Sequence, residues 1–230
     1  MERRRLVPVS GNDGRNQKHT IFRVLGIDPA AAGPTGYGVV ESDGRNSRLL
    51  HYGALFITAK RRKESSGAAL QDVHELLSRL IEEYEPDAMA IEAVFAALNV
   101  RTALRLAEVR GVVLLAAAQH NIAVHSYSPR EVKSSVAGYG HADKRQVQMM
   151  VRALLSMTET PEPVDAADAL AVALCHLQAE QARRRFGLPD GNTVVRSRAL
   201  GAAAGAAGIG TGIRTGGATR NKLPRILSTR

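Results

Sequence analysis

The sequence predicts an α/β protein built on a mixed five-stranded sheet, three antiparallel strands then parallel additions, flanked by helices. Three observations carry that prediction. The first 40 residues after Thr20 contain three short apolar runs with two-residue alternation, separated by turn residues, which is the pattern of a meander. Each later apolar run is separated from the one before by a segment with apolar residues at three- and four-residue spacing, as a crossover helix requires. The resulting order, βββαβαβαα, places helices against a single sheet rather than in a bundle.

Ile21 to Asp28 reads as the first strand, with Phe22, Val24, Gly26 and Asp28 on one face and Ile21, Leu25 and Ile27 on the other. Pro29 ends it. Tyr37 to Glu41 is a second strand, Asp43-Gly44 a turn, and Leu49 to Thr58 a third. Leu70, Val73, Leu77, Leu80, Ile81 and Tyr84 recur at helical spacing after a candidate cap at Ser65 or Ser66, and Pro86 closes that helix. Asp87 to Glu92 is short and apolar and suits a strand added in parallel. A helix from about Asn99 to His120 follows. Its latter half from Gly111 is apolar on all sides, as expected of a helix buried against the sheet. Ile122 to Tyr127 is the fifth strand, and helices follow at about 143 to 155 and 164 to 185.

The domain so defined spans residues 21–188. Residues 1–20 are polar and aperiodic and read as a disordered basic extension; residues 189–230, with the Gly/Ala run from Gly201, read as a low-complexity, disordered basic tail. The formal net charge is +9, but residues 21–186 hold 19 basic and 19 acidic side chains, so the whole excess lies in the two terminal segments. Net charge therefore supports phosphate affinity without locating a face. A single cysteine, Cys175, excludes an internal disulfide and a Cys/His zinc site. No apolar run reaches the roughly 18 residues that cross a bilayer and no signal peptide opens the chain, so the expected location is cytoplasmic, with no membrane partner.

Four carboxylates carry the chemistry. Asp28 ends the first strand and Glu92 the fourth, and if those strands are neighbours the two acids meet in the crevice beyond the strand ends. Asp165 and Asp168 are three apart on one helix and project from the same side. Clustered carboxylates repel one another unless a cation lies among them, and Mg²⁺ is the hard, oxygen-seeking ion for that place. A pair of such ions about 3.5–4 Å apart activates water and stabilises the leaving oxygen in displacement at phosphorus. Each acid also has a plainer reading: Asp28 as a strand terminator before Pro29, Glu92 as a surface residue, Asp165 and Asp168 as complements to a helix dipole.

The same residues lie in motifs that resemble the RuvC family of crossover junction endodeoxyribonucleases: Leu25-Gly26-Ile27-Asp28-Pro29 followed by Thr35-Gly36-Tyr37-Gly38-Val39, then Ala90-Ile91-Glu92-Ala93-Val94-Phe95, and Asp165-Ala166-Ala167-Asp168-Ala169-Leu170-Ala171. The resemblance runs from about Val24 to His176 and includes Val132-Lys133, Gly138-Tyr139-Gly140 and Lys144-Arg145-Gln146-Val147-Gln148. It implies a ribonuclease H-like fold and a homodimer that resolves four-way (Holliday) DNA junctions by paired symmetric nicks, in recombination and repair, with the branch-migration proteins RuvA and RuvB as partners. It further implies two Mg²⁺ per site, with Mn²⁺ able to substitute, held by Asp28, Glu92, Asp165 and Asp168, Asp28 touching both ions. Lys133, Lys144 and Arg145 match basic positions near the site, and Phe95 a position that probes the junction centre. Asn99 reads as a helix cap or a backbone contact, the cap being favoured, with Arg101 and Arg105 as phosphate candidates. The chain departs from the family pattern at Ala30, where glycine is usual, at Ala93 and at Leu98. Three rival readings are an actin-like ATPase, a second nuclease of the same fold, and a silent junction-binding module. The first needs a second domain and a nucleotide cofactor that 42 residues after Leu188 cannot accommodate, and all four acids argue against the last.

Overall fold

The computed structural model describes residues 21–30, 33–56, 66–93, 99–189 and 193–195. In chain order the elements are β1 (Phe22–Asp28), β2 (Thr35–Ser42), β3 (Ser47–Leu55), α1 (Ser66–Tyr84), β4 (Ala88–Glu92), α2 (Val100–Gln119), β5 (Ala123–Tyr127), α3 (Pro129–Ala137), α4 (Lys144–Leu154), α5 (Val164–Phe186) and β6 (Thr193–Val195). The sheet order is β3-β2-β1-β4-β5-β6. β1, β2 and β3 pair antiparallel, β4 and β5 are added in parallel, and β6 closes the edge antiparallel to β5. This is the expected mixed sheet with one strand more.

The alternation in β1 sorts side chains as the sequence predicts. Leu25 and Ile27 join Val39, Met89, Ile91 and Val124 under α1 and α2, while Val24 joins Val40, Ala90 and Tyr127 under α3, α4 and α5. Two apolar layers on one two-faced sheet leave a single core on each side, and the helix nearest the strand ends decides what reaches the crevice there.

That helix is α5, and three glycines set how closely it lies. Gly26 on β1 pairs with Gly38 on β2, and Asp28 pairs with Gly36, so the glycines and Asp28 share one patch of sheet. A methyl group at Gly26 would collide with the Ala169 carbonyl, one at Gly36 with the Asp165 carbonyl, and one at Gly38 would lie 2.5 Å from Leu170 Cδ2. The helix answers with alanines at 166, 167, 169, 171 and 173, all buried. Small residues on both partners bring the backbones together, and the first turn of α5 comes to rest beside the end of β1.

Four features differ from the sequence reading. Residues 193–195 form a sixth strand beyond residue 188; three residues carry too short a pattern to register as alternation. α3 was not expected, although Ser128-Pro129-Arg130-Glu131 followed by Val132 and Val136 is a capping box ahead of an apolar face: Ser128 Oγ accepts from the Glu131 N–H at 3.2 Å and Glu131 Oε2 from the Ser128 N–H at 2.7 Å. α2 is not buried all round: Val109, Val113, Ala116 and Ala117 face the core, but Val100, Leu104, Gly111 and Leu115 are exposed. β3 ends at Leu55 rather than Thr58, which with the candidate cap Ser65 lies outside the described residues. Among the described residues no helix is long and apolar enough to cross a membrane.

Candidate active site

The parallel pairing of β1 with β4 decides the geometry. Ile27 is level with Ile91, so the next residue on each strand, Asp28 and Glu92, stand side by side at the carboxyl ends. Glu92 in turn is level with Tyr127 on β5. From above, α5 contributes Asp165 and Asp168 from its first turns. Asp28 feels the other three: burial first, then the charges of Glu92, Asp168 and Asp165, raise its carboxyl from 3.8 to about 8. Glu92 is also raised, again by burial first and then by Asp168, against the lowering influence of Lys144 and Lys133.

The counter-charge present is Lys144, the first residue of α4. Its Nζ lies 2.8 Å from Asp168 Oδ2. Burial would lower this ammonium, but the hydrogen bond to Asp168 and the charges of Asp168, Asp165 and Asp28 hold it above its ordinary value. α4 is aimed by a capping box in which Asp143 Oδ1 accepts from the Gln146 N–H at 2.8 Å and Gln146 Oε1 from the Asp143 N–H at 3.0 Å. Two monovalent charges, Lys144 and the Lys133 that also lowers Glu92, facing four crowded carboxylates leave the centre short of positive charge. The donor set is all oxygen and hard, so it fits a divalent cation of the Mg²⁺ type, and without one burial and crowding favour the protonated forms of Asp28 and Glu92. Among the described residues no three such side chains are closed into a ready-made cage, consistent with Lys144 engaging one of them.

Beside the acids a cavity of about 200 Å³ is lined by Glu92, Lys133, Lys144 and Asp168 on one side and by Val132, Val147 and Ala171 on the other. Lys133 on α3 therefore faces the same cleft as Lys144. Arg145 is exposed on the first turn of α4, outside that lining. Asn99 is the N-cap of α2, its Oδ1 accepting from the Thr102 N–H at 2.9 Å, and Arg101 and Arg105 are exposed one turn apart on that helix. Phe95 lies outside the described residues, as does Leu98. What sequence reasoning missed was the glycine patch that seats α5; Gly26, Gly36 and Gly38 fall at even spacing on their strands, and that periodicity was the available signal.

A mixed sheet with three antiparallel strands and two parallel additions, bearing acids at adjacent ends of β1 and β4 and on the covering helix, defines a ribonuclease H-like protein with an acidic centre. The family model for crossover junction endodeoxyribonuclease RuvC matches residues 24–176, and the chain belongs to that family. Similar curated proteins of that description include one from Alkaliphilus oremlandii, 45% identical over 153 residues that make up 66% of this chain and 91% of the relative. One from Chloroflexus aggregans is 47% identical over 167 residues, 73% of this chain and 99% of the relative. Among solved structures, T. thermophilus RuvC in complex with a Holliday junction substrate aligns with a TM-score of 0.66 at 33% identity, covering 70% of this chain and 96% of that one. The matched span contains all four acids and both cleft lysines.

Proposed function

We propose that this chain is a Holliday junction resolvase, a structure-selective endonuclease that hydrolyses phosphodiester bonds in DNA with two Mg²⁺ ions per site, Mn²⁺ serving in their place. The observation that carries the reading is the meeting of Asp28 and Glu92 on adjacent parallel strands under an α5 first turn that brings Asp165 and Asp168. Family membership and the junction-bound relative support the substrate.

Asp28, Glu92, Asp165 and Asp168 would hold the metal, with Asp28 the acid that feels the charge of the other three. Bound there, divalent ions supply a water of lowered pKa and charge neutralisation at the leaving oxygen. The chain's own residues do the rest. Lys144, whose ammonium lies at the cleft beside Asp168, would donate to a phosphate oxygen, and Lys133 would do so from the opposite helix. Arg101, Arg105 and Arg145 contact backbone phosphates further out, and Phe95 stacks at the junction centre.

Paired nicks need two sites, and the exposed face of α2 supports a homodimer. Val100, Leu104, Gly111 and Leu115 recur along one side of this helix in the exposed class, and nothing lies within 4 Å of a methyl built on Gly111. A helix apolar on both faces suits burial against the sheet on one and against a second copy on the other, giving a two-fold axis to match that of a four-way junction. RuvA and RuvB are the branch-migration partners in this reading, and the setting is cytoplasmic.

The test is a synthetic four-way junction and a linear duplex of the same sequence, each incubated with Mg²⁺ and with EDTA. Symmetric nicking of the junction alone, abolished by EDTA and by Asp28→Asn with junction binding retained, is the expected result. Equal cutting of both DNAs would point to a general nuclease of the same fold, and binding without cutting to a silent module.

A further inference from the structure

The glycine patch seats α5 on one side of the sheet's centre only. Gly26, Gly36 and Gly38 lie on β1 and β2, so the close approach they allow fixes the helix against the strand that ends in Asp28. Glu92 belongs to the other side, on β4, with β5 as its further neighbour. Glu92 and Asp168 line the same cavity, and after burial Asp168 is the charge that most raises the Glu92 carboxyl. A contact that sets the separation of these two acids therefore has to reach from β4 and β5 to α5.

Tyr127 makes that reach. It is the last residue of β5, level with Glu92, and its carbonyl accepts from the Ala93 N–H at 2.8 Å, which fixes the backbone immediately after Glu92. Its side chain lies on the α5 face of the sheet, in the apolar cluster that also holds Val132, Val147 and Ala171 from the cavity wall. Its hydroxyl meets His176 Nδ1 at 2.7 Å, and both side chains are buried. His125, on the same strand, stacks on the same imidazole with ring centroids 4.2 Å apart. Among the described residues His176 Nε2 has no hydrogen-bond partner, so the Tyr127 hydroxyl is the polar anchor of a ring otherwise held by packing. His176 follows Asp168 on α5 by about 12 Å at about 1.5 Å per helical residue. The path from acid to acid is thus short: the Ala93 amide, Tyr127, His176 and about two turns of helix. Apolar contact has no preferred direction and tolerates sliding, whereas a buried hydrogen bond holds one distance and one angle.

We propose that Tyr127 is a positioning residue for the metal centre: through its hydroxyl on His176 it sets the distance between Glu92 on β4 and Asp168 on α5. The inference rests on the resolvase reading, in which these acids hold a divalent ion, and adds to it a residue that touches neither metal nor DNA. Ligands supplied by two elements bind an ion only as tightly as those elements are held in register, and loss of a supporting bond outside the ligand set weakens metal sites about 10–100-fold. The rival is a bond that stabilises the fold without aiming anything, as any buried hydrogen bond does.

Mn²⁺ is the probe, because its free form is read by electron paramagnetic resonance and binding is then measured on the full-length protein without DNA or turnover. Tyr127→Phe removes the hydroxyl and keeps the ring, His176→Leu removes the acceptor, and the two together close a double-mutant cycle. Leu80→Ala, in the core on the opposite face of the sheet, supplies a loss of stability remote from the tie. At a temperature where all are folded, Tyr127→Phe is expected to weaken Mn²⁺ binding at least about fivefold and to raise the Mg²⁺ needed for half-maximal nicking by the same factor, with KM for the junction unchanged. The double variant should bind Mn²⁺ no more weakly than the weaker single variant, and Leu80→Ala should bind it as the parent does. Unchanged Mn²⁺ affinity in Tyr127→Phe would overturn the inference, as would equal weakening in Leu80→Ala, which would make affinity a measure of general stability. Additive losses in the cycle would overturn it too, by separating the two side chains. Should His176→Leu fail to fold, Tyr127→Phe against Leu80→Ala decides alone. Failure of the unaltered protein to nick junctions would refute the resolvase reading itself, a result separate from the metal affinities.

Discussion

Asp28→Asn in metal-free protein isolates what the acidic centre costs the fold. Asp28 is raised from 3.8 to about 8 in the folded state, so the native protein keeps a proton there that the unfolded chain has released. Stability conferred by that protonated form is fully present below about pH 4 and is lost as pH rises towards 8, at about 1.4 kcal/mol per pH unit, about 4 kcal/mol of it gone by pH 7. His176 has the opposite sign. Burial first, then His125 and Arg183, lower it from 6.5 to about 3, so its contribution is present above pH 6.5 and lost on acidification. Between about pH 4 and 6.5 the two slopes oppose and nearly cancel; between 6.5 and 8 only the Asp28 slope remains, with Glu92 acting in the same direction. Metal-free protein should therefore lose about 2 kcal/mol from pH 6.5 to 8, or about 4–8 °C in Tm for a domain of this size. Asn keeps the shape of the side chain without the ionisation. The variant should lose the Asp28 slope over pH 6.5–8 and fall only by what Glu92 contributes, should gain stability from pH 4 to 6.5 as the His176 slope is unmasked, and should exceed the parent protein at pH 8. Thermal and urea melts in EDTA across pH 4–8.5 measure this, and added Mg²⁺ should raise the parent alone. A variant less stable than the parent at pH 8, or one showing the same fall above pH 6.5, would mean that Asp28 is a structural strand terminator and not part of a crowded ion site.

Gly36→Ala should destabilise the protein by about 3 kcal/mol and impair cleavage, since its methyl meets the Asp165 carbonyl and must lift the first turn of α5; unchanged melts and activity would remove the glycine patch from the account. Lys144→Gln should cost no more than about 1 kcal/mol of stability, because the pair with Asp168 is partly exposed, yet should slow nicking about 10–100-fold at saturating junction; an unaltered rate would confine Lys144 to an ion pair. Leu104→Glu should shift sedimentation from dimer to monomer while leaving far-UV circular dichroism unchanged, and a persistent dimer would place the two-fold contact elsewhere. Asn99→Ala should cost about 1 kcal/mol through loss of the bond to the Thr102 N–H, with no change in nicking by bound enzyme; a larger effect on nicking than on melting would make Asn99 a DNA contact.

Where the sequence was legible, a short-range rule was enough. Two-residue alternation placed Leu25 and Ile27 on one side of β1 and Val24 on the other, and strand-end position marked Asp28 and Glu92 before their pairing was known. The features that escaped depend on long-range partners. Nothing local distinguishes Gly36 as a turn-former from Gly36 as the seat for Asp165, because the reason lies about 130 residues away along the chain. α2 was misjudged on one face because an all-apolar helix looks the same whether its second side meets its own sheet or stays open. α3, by contrast, was announced locally by Ser128 and Glu131, and β6 is simply too short to carry a pattern.

The architecture explains how so unfavourable a cluster persists. Asp28 and Glu92 oppose folding at neutral pH, and the element that crowds them with Asp165 and Asp168 is also among the most deeply buried in the molecule. α5 sinks Leu170, Leu174 and Leu177 into one core and runs its alanines along the glycine patch. Its His176 ring stacks 4.2 Å from His125, 2.7 Å from the Tyr127 hydroxyl through Nδ1, in a setting that keeps it neutral. Packing energy along about 20 residues of helix can thus hold two carboxylates of its first turns against repulsion. Weakening α5 far from the site should therefore loosen the acids before it unfolds the domain. Leu177→Ala, about two and a half turns from Asp168 and touching no proposed ligand, is expected to cost about 2–5 kcal/mol by the usual cavity cost and, at temperatures where the variant is still folded, to weaken apparent Mg²⁺ affinity more than it lowers nicking at saturating metal. If metal affinity instead stayed constant while stability fell, the site would be positioned by β1 and β4 alone, and the helix would be a passenger.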